Sequence, residues 1–325
     1  MKRQKIIFSY SGLQVFLAVW LQMLVVTGGN TAIGQQLHFR NYGVDHGMSS
    51  NTVWNIIQDD QGYMWFGTKN GLNRYDGRTF KVYQAHSNPS AENSFIHSIC
   101  RYDSTRLWVG TEDGLYVLDL TKEQFTKINA LGDDLIFSII RDDGGHMWVG
   151  TRSNGLYRYD AEKNLFFNYR KGSGPNSISH NQVRRLQQDD DGNIWIATFG
   201  EGIDVMNPVT GVVRRIKAGN TGDHLSSNFI LALYKDSSGN IWIGTLSGGL
   251  NCWVHAEDRI KIYKSGGPDA LSNNIVRSIY QIDDDKLYIG TEKGLNVLDL
   301  AQDKFTFYTN NSSDPYSISD NAVYS

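Results

Sequence analysis

The chain has 325 residues, 40% of them hydrophobic and 20% charged, with a net charge of −3. Such a composition is globular, carries enough apolar material for a large core, and argues against disorder. No basic stripe is present to follow a phosphate backbone, which argues against nucleic acid as a partner.

The first residues, MKRQK, place Lys2, Arg3 and Lys5 ahead of an apolar run densest from Leu13 to Val26. A small, polar exit follows, with Ala32 and Gly34 suited to cleavage before Gln35. This order reads as a secretory signal over residues 1–34, followed by an exported domain over 35–325. A retained anchor is the alternative, but Gln14 and Gln22 interrupt the run and it is short for a full span. Cleavage would leave the remainder at −6, because three cations go and no acid goes with them. Only Cys100 and Cys252 remain, both inside apolar strand patterns, which is not a disulfide framework.

From residue 49 onward the chain repeats itself. An aromatic recurs at Trp65, Trp108, Trp148, Trp195, Trp242 and Tyr288, at spacings of 43, 40, 47, 47 and 46. Three residues after each comes a threonine, and a short gap later Gly-Leu or Gly-Ile. Repeat one breaks into four strand-length runs, Val53 to Gln58, Tyr63 to Thr68, Leu72 to Asp76 and Thr79 to Tyr83, separated by Gly, Asp or Asn. Four strands every forty-odd residues predict an all-β fold, a β-propeller of four-stranded blades. The repeats run over about 49–90, 91–130, 131–176, 177–223, 224–270 and 271–316, and an incomplete seventh begins at 317. The outer-strand mark also appears early, at Phe39 and Tyr42, as expected of a strand that completes the last blade of a ring. Six complete blades with parts of a seventh suggest the front portion of a longer polypeptide.

In this scheme Asp59 and Gly62 serve the first hairpin turn, Trp65 fills the wedge between twisted blades, and the Thr68 hydroxyl ties the next turn. Blades two and six depart from it, at YDSTRLW and IDDDKLY. The acidic clusters, such as Asp189-Asp190-Asp191, recur at one turn of successive blades, so they read as turn formers rather than metal ligands or paired catalytic carboxylates. The Asp-x-x-Gly-x-x-Trp spacing resembles the Asp-box turn of sialidases, again a fold device. No catalytic residue, metal or cofactor is expected, and a lyase or hydrolase propeller is the minor reading.

The repeated unit SN-x-V-x-x-I-x-x-D-x-x-G-x-x-W-x-G-T-x-x-G-L closely resembles the two-component regulator propeller repeat over residues 37–325. The resemblance implies the periplasmic sensor region of a hybrid histidine kinase and response regulator, signalling by phosphorelay. It further implies recognition of an oligosaccharide or other periplasmic ligand, a homodimeric full-length receptor at the inner membrane, and kinase parts outside these residues. A docking propeller that never meets a small ligand is the alternative.

Positions that differ between blades are free to specialise. Eleven residues before the key aromatic stand Trp54, Phe137, Arg184, Leu231 and Arg277, with His97 beside them in blade two. The turns after the threonine add Arg152, Asn154, Phe199 and Glu201. Sugars are recognised by planar hydrogen-bonding groups beside an aromatic platform. The candidate binding residues are therefore Trp54, Arg152, Asn154, Arg184, Phe199, Glu201 and Arg277, with solvated turns or inner-strand packing as the plain alternative for each. Trp253 aligns with Tyr75 and Leu118 and reads as scaffold.

Overall fold

In the first repeat, β1 (Val53–Gln58), β2 (Met64–Thr68), β3 (Gly71–Tyr75) and β4 (Phe80–Tyr83) pair antiparallel in sequence order. The computed structural model describes residues 37–85, 95–219 and 224–325. Within them the four-stranded sheet occurs six times, giving β1 to β24 in chain order. These sheets are the blades of a β-propeller. The signal sequence expected over 1–34 lies outside the described residues. Among the described residues, no helix is long and apolar enough to cross a membrane.

The innermost strands are β1, β5 (Ile96–Arg101), β9 (Ile136–Arg141), β13 (Val183–Gln188), β17 (Ile230–Lys235) and β21 (Val276–Asp283), and each packs beside the next. Beside them run the second strands β2, β6 (Arg106–Thr111), β10 (Met147–Thr151), β14 (Ile194–Thr198), β18 (Ile241–Thr245) and β22 (Lys286–Thr291). All five second-strand tryptophans are at most 3% exposed. The cores lie between blades: Trp65, Leu72 and Tyr83 of blade one share a cluster with Ile96, Ile99 and Leu107 of blade two. Trp195 and Ile203 of blade four do the same with Ile230 and Ile241 of blade five. Glycine permits this close stacking. A Cβ on Gly67, Gly110, Gly150 or Gly244 would come within 2.7 to 2.9 Å of the first inner-strand residue of the next blade.

The recurring aspartate is a clasp. Asp59 accepts hydrogen bonds from the Gln61 and Tyr63 amides through one oxygen and from the Trp65 indole N–H, at 2.7 Å, through the other. Asp142, Asp189 and Asp236 hold Trp148, Trp195 and Trp242 in the same way at 2.7, 2.9 and 2.8 Å. The carboxylates thus tie each turn to its core tryptophan. In blade two Asp103 is engaged by Thr105 and Arg106, and Tyr102 stacks on Trp108 at 5.6 Å. The threonine donates to the glycine carbonyl that ends its turn in all six blades, at 2.9 Å in the case of Thr68 and Gly71. Cys100 and Cys252 are free thiols, each pushed up to about 12 mainly by burial.

Neither part of the seventh blade forms a strand. Residues 37–43 carry no strand, and Val44–His46 makes a single 310 turn. Without a third strand of its own to pair with, Tyr42 packs on blade one, 5.3 Å from Tyr75 and 5.8 Å from Phe80. At the other end the Val323 amide donates to the Thr291 carbonyl at 3.0 Å. The Val323 carbonyl lies against Gly290 as that of Ile96 lies against Gly67. Val323 therefore stands where a seventh inner strand would start.

Candidate functional site

Each inner strand carries one extra residue near its start. In blade one Val53 pairs with Thr68 and Asn55 with Gly67, which leaves Trp54 without a ladder partner. The same register shift isolates His97, Phe137, Arg184, Leu231 and Arg277. A β-bulge frees a side chain from the ladder and re-aims it. Tyr324 follows Val323 as Trp54 follows Val53, so it takes the seventh place.

These side chains meet around the axis. Tyr324 lies 4.9 Å from Trp54, Trp54 lies 6.4 Å from His97, and His97 lies 6.0 Å from Phe137. The Arg184 guanidinium sits over Phe137 at 4.8 Å, and that of Arg277 over Tyr324 at 4.8 Å. Below them is an axial cavity of about 230 Å³ walled by the next residue of each inner strand: Asn55, Ser98, Ser138, Arg185, Ala232, Ser278 and Ser325. Several of the small ones serve the ring, since Asn55 accepts from the Ile99 amide and Ser98 from the Ile139 amide. Arg185 is the one long side chain in this layer.

The electrostatics are uneven. Arg277 pairs with Glu292. Burial, reinforced by Arg184 and Arg277, lowers the pKa of Arg185 to about 10, and burial with repulsion from Arg277 lowers that of Arg184. Burial, with Arg185 and Arg184 nearby, pushes His97 down to about 4, so its ring is neutral at pH 7 despite Glu112 at 3.9 Å. Among the described residues, its Nε2 and the Trp54 Nε1 are buried with no hydrogen-bond partner.

Four of the seven candidates, Trp54, Arg184, Phe199 and Arg277, converge here. Phe199 lies 5.5 Å from the Arg184 guanidinium and 5.3 Å from Phe229, and both rings are about 40% exposed. The other three are placed elsewhere. Asn154 is tied to Asp134 through its amide and side chain, Glu201 pairs with Lys217 just past the outer strand, and Arg152 projects from an exposed turn. Reading the bulge column missed Tyr324, and it missed Arg185 because that residue stands one column later. Comparing that next column, where the sister repeats hold Asn, Ser or Ala, would have exposed it. Trp253 is buried against Trp195 and donates to Asp258. Among the described residues, no three His, Cys, Asp or Glu side chains gather to hold a metal ion.

Residues 47–70, 130–153, 177–200 and 224–247 match the family model of the two component regulator propeller. These four stretches of the chain thus match two-component regulator propeller repeats. Among solved structures, it is similar to one described as the extracellular domain of a hybrid two component system from B. thetaiotaomicron. That likeness has 25% identity and a TM-score of 0.74, over 88% of this chain and 38% of the other. A 56-residue stretch, 17% of this chain, is 41% identical to Histidine kinase P4 of Formosa agariphila and spans 4% of that protein. The chain thus spans well under half the length of either relative. A virginiamycin B lyase from Staphylococcus aureus shares the fold at 13% identity and a TM-score of 0.62, covering 79% of this chain and 83% of the lyase.

Proposed function

We propose that this propeller is the periplasmic ligand-sensing part of a hybrid two-component receptor, that it binds an oligosaccharide at the axial mouth, and that it performs no turnover. The observation that carries the reading is the division of labour between repeats. The clasp recurs in four of the six blades and the threonine tie in all six, whereas the six bulge positions and Tyr324 hold Trp, His, Phe, Arg, Leu, Arg and Tyr around one opening. Half-exposed aromatic rings beside cationic planes suit the apolar face and hydroxyl edge of a sugar. Likeness to a sensor's extracellular domain supports the receptor context. Signalling would be carried by kinase parts outside these residues, in a homodimeric membrane receptor.

Thermal-shift measurements against a panel of defined oligosaccharides test this. A rise in Tm with particular sugars, with no product formed on long incubation, is the expected outcome. Product formation would favour a lyase-type propeller. Absence of any shift would favour a docking propeller, for which the exposed Phe199, Phe229 and Leu246 would be the contact.

A further inference from the structure

We propose that the ligand of the axial mouth is an acidic sugar, whose carboxylate or sulfate group enters the axial cavity and is gripped by Arg185 in its wall, with Arg184 at its rim as a second cation. This deepens the reading of the mouth as a sugar site and rests on it.

Arg185 and Arg277 line the cavity, and the Arg184 guanidinium stands beside it against Phe137 and Phe199, in a chain whose net charge is −3. Their acidic company is small: Glu292 is taken by Arg277, and Glu112 stands beside the neutral His97. Arg185 has five N–H donors to satisfy. Among the described residues it makes one hydrogen bond, to the Arg184 carbonyl at 2.8 Å, and no ion pair. Arg184 is met by ring faces, Phe137 and Phe199, and among the described residues by no carboxylate.

A guanidinium withdrawn from water without a counter-charge is costly, and two side by side repel each other. Packing does not require one at position 185, because six sister positions fill the same layer with Asn, Ser or Ala. Burial holds both guanidinium pKa values down, with Arg277 adding repulsion to each and Arg184 to Arg185, and an anion beside them would relieve both. The planar fork of arginine matches a carboxylate or sulfate in two-point contact. The unpartnered Trp54 indole N–H adds a neutral donor at the rim. At about 230 Å³ the cavity falls below the range for whole drug-sized ligands, so it suits the acidic group and its own ring. The rest of the sugar chain would lie over Phe199 and Phe229, which are open to solvent.

Two matched pairs of probes test this by calorimetry: an oligogalacturonide against its fully methyl-esterified form, and a sulfated galactan oligosaccharide against its desulfated form. The expected result is binding of at least one acidic member, at least tenfold weaker binding of its masked partner, and further weakening when salt is raised. The charged pair that binds tells carboxylate from sulfate. Arg185→Gln and Arg184→Gln should each weaken that binding tenfold or more. Glu201→Gln, on the outer strand side, should leave it unchanged. Should Arg185→Gln fail to fold, Arg184→Gln and the salt response of the unaltered protein decide alone. Equal affinity for charged and masked members overturns the inference while leaving the sugar-sensing reading intact. Acid-selective binding unmoved by both arginine variants also overturns it. If neutral and acidic members alike fail to bind, the sugar-sensing reading falls and this inference falls with it.

Discussion

Two rings of side chains circle the same axis and obey opposite rules. The second-strand ring of Trp65, Trp108, Trp148, Trp195 and Trp242 is nearly uniform and buried, and four of its indole N–H groups are held by an aspartate. The bulge ring, one strand further in, is different at almost every step, half-exposed, and leaves polar atoms of Trp54 and His97 unpaired. The first ring carries stability and has no freedom to vary. The second sits outside the hydrogen-bond ladder, so its side chains can differ from blade to blade without altering the strand pairing.

The sharpest way to break this contrast is to damage the uniform ring. Trp195→Ala, at a site with no solvent exposure, should cost about 3–5 kcal/mol in denaturant unfolding. The next largest effect separates the rings by pH. The unfolded chain protonates its histidine below about 6.5, but folded His97 stays neutral down to about 4. Stability should therefore be fully present above pH 6.5, fall as pH drops from 6.5 to 4, and level off below, by up to about 3 kcal/mol. His97→Phe should flatten that stretch of the curve. A smaller loss, roughly 1–3 kcal/mol, is expected for Asp189→Ala, which strands the Trp195 indole and the Asn193 amide. Smallest is Phe199→Ala, within about 0.5 kcal/mol of the parent in stability. It should nevertheless abolish most of the ligand-induced Tm shift, which would place the platform in binding and outside folding.

The blades were legible because their signal is redundant. Val53 to Gln58 is predicted and found as β1, and the neighbouring strands fall within a residue of their predicted bounds. The turn role of Asp59 followed from its spacing to Gly62, but its grip on the Trp65 indole did not, since the bond joins two strands through side chains on one face. Phe39 and Tyr42 carry the outer-strand pattern without forming a strand, because pattern records what could pair and not whether a partner stands beside it. Within the site, variability between repeats picked out Trp54, Arg184 and Arg277. It could not show which turn residues reach the axis: Glu201 leans outward to Lys217 and Asn154 inward to Asp134, and both stand at similar points in their turns. Arg185 was visible in the sequence as an odd member of its column, but its meaning came from the small residues that surround it in space.

The glycines at the blade junctions set a dimension of the molecule. With Gly67, Gly110, Gly150 and Gly244 each within a methyl's reach of the next blade, the wall has no slack, and the calibre of the mouth is fixed by its thinnest points. The fourth blade already has Ala197 where the others have glycine, and is one carbon thicker there. A single carbon gained or lost deep in the wall would widen or narrow an aperture it never touches. The bore of this propeller can thus be retuned without altering any residue that lines the mouth.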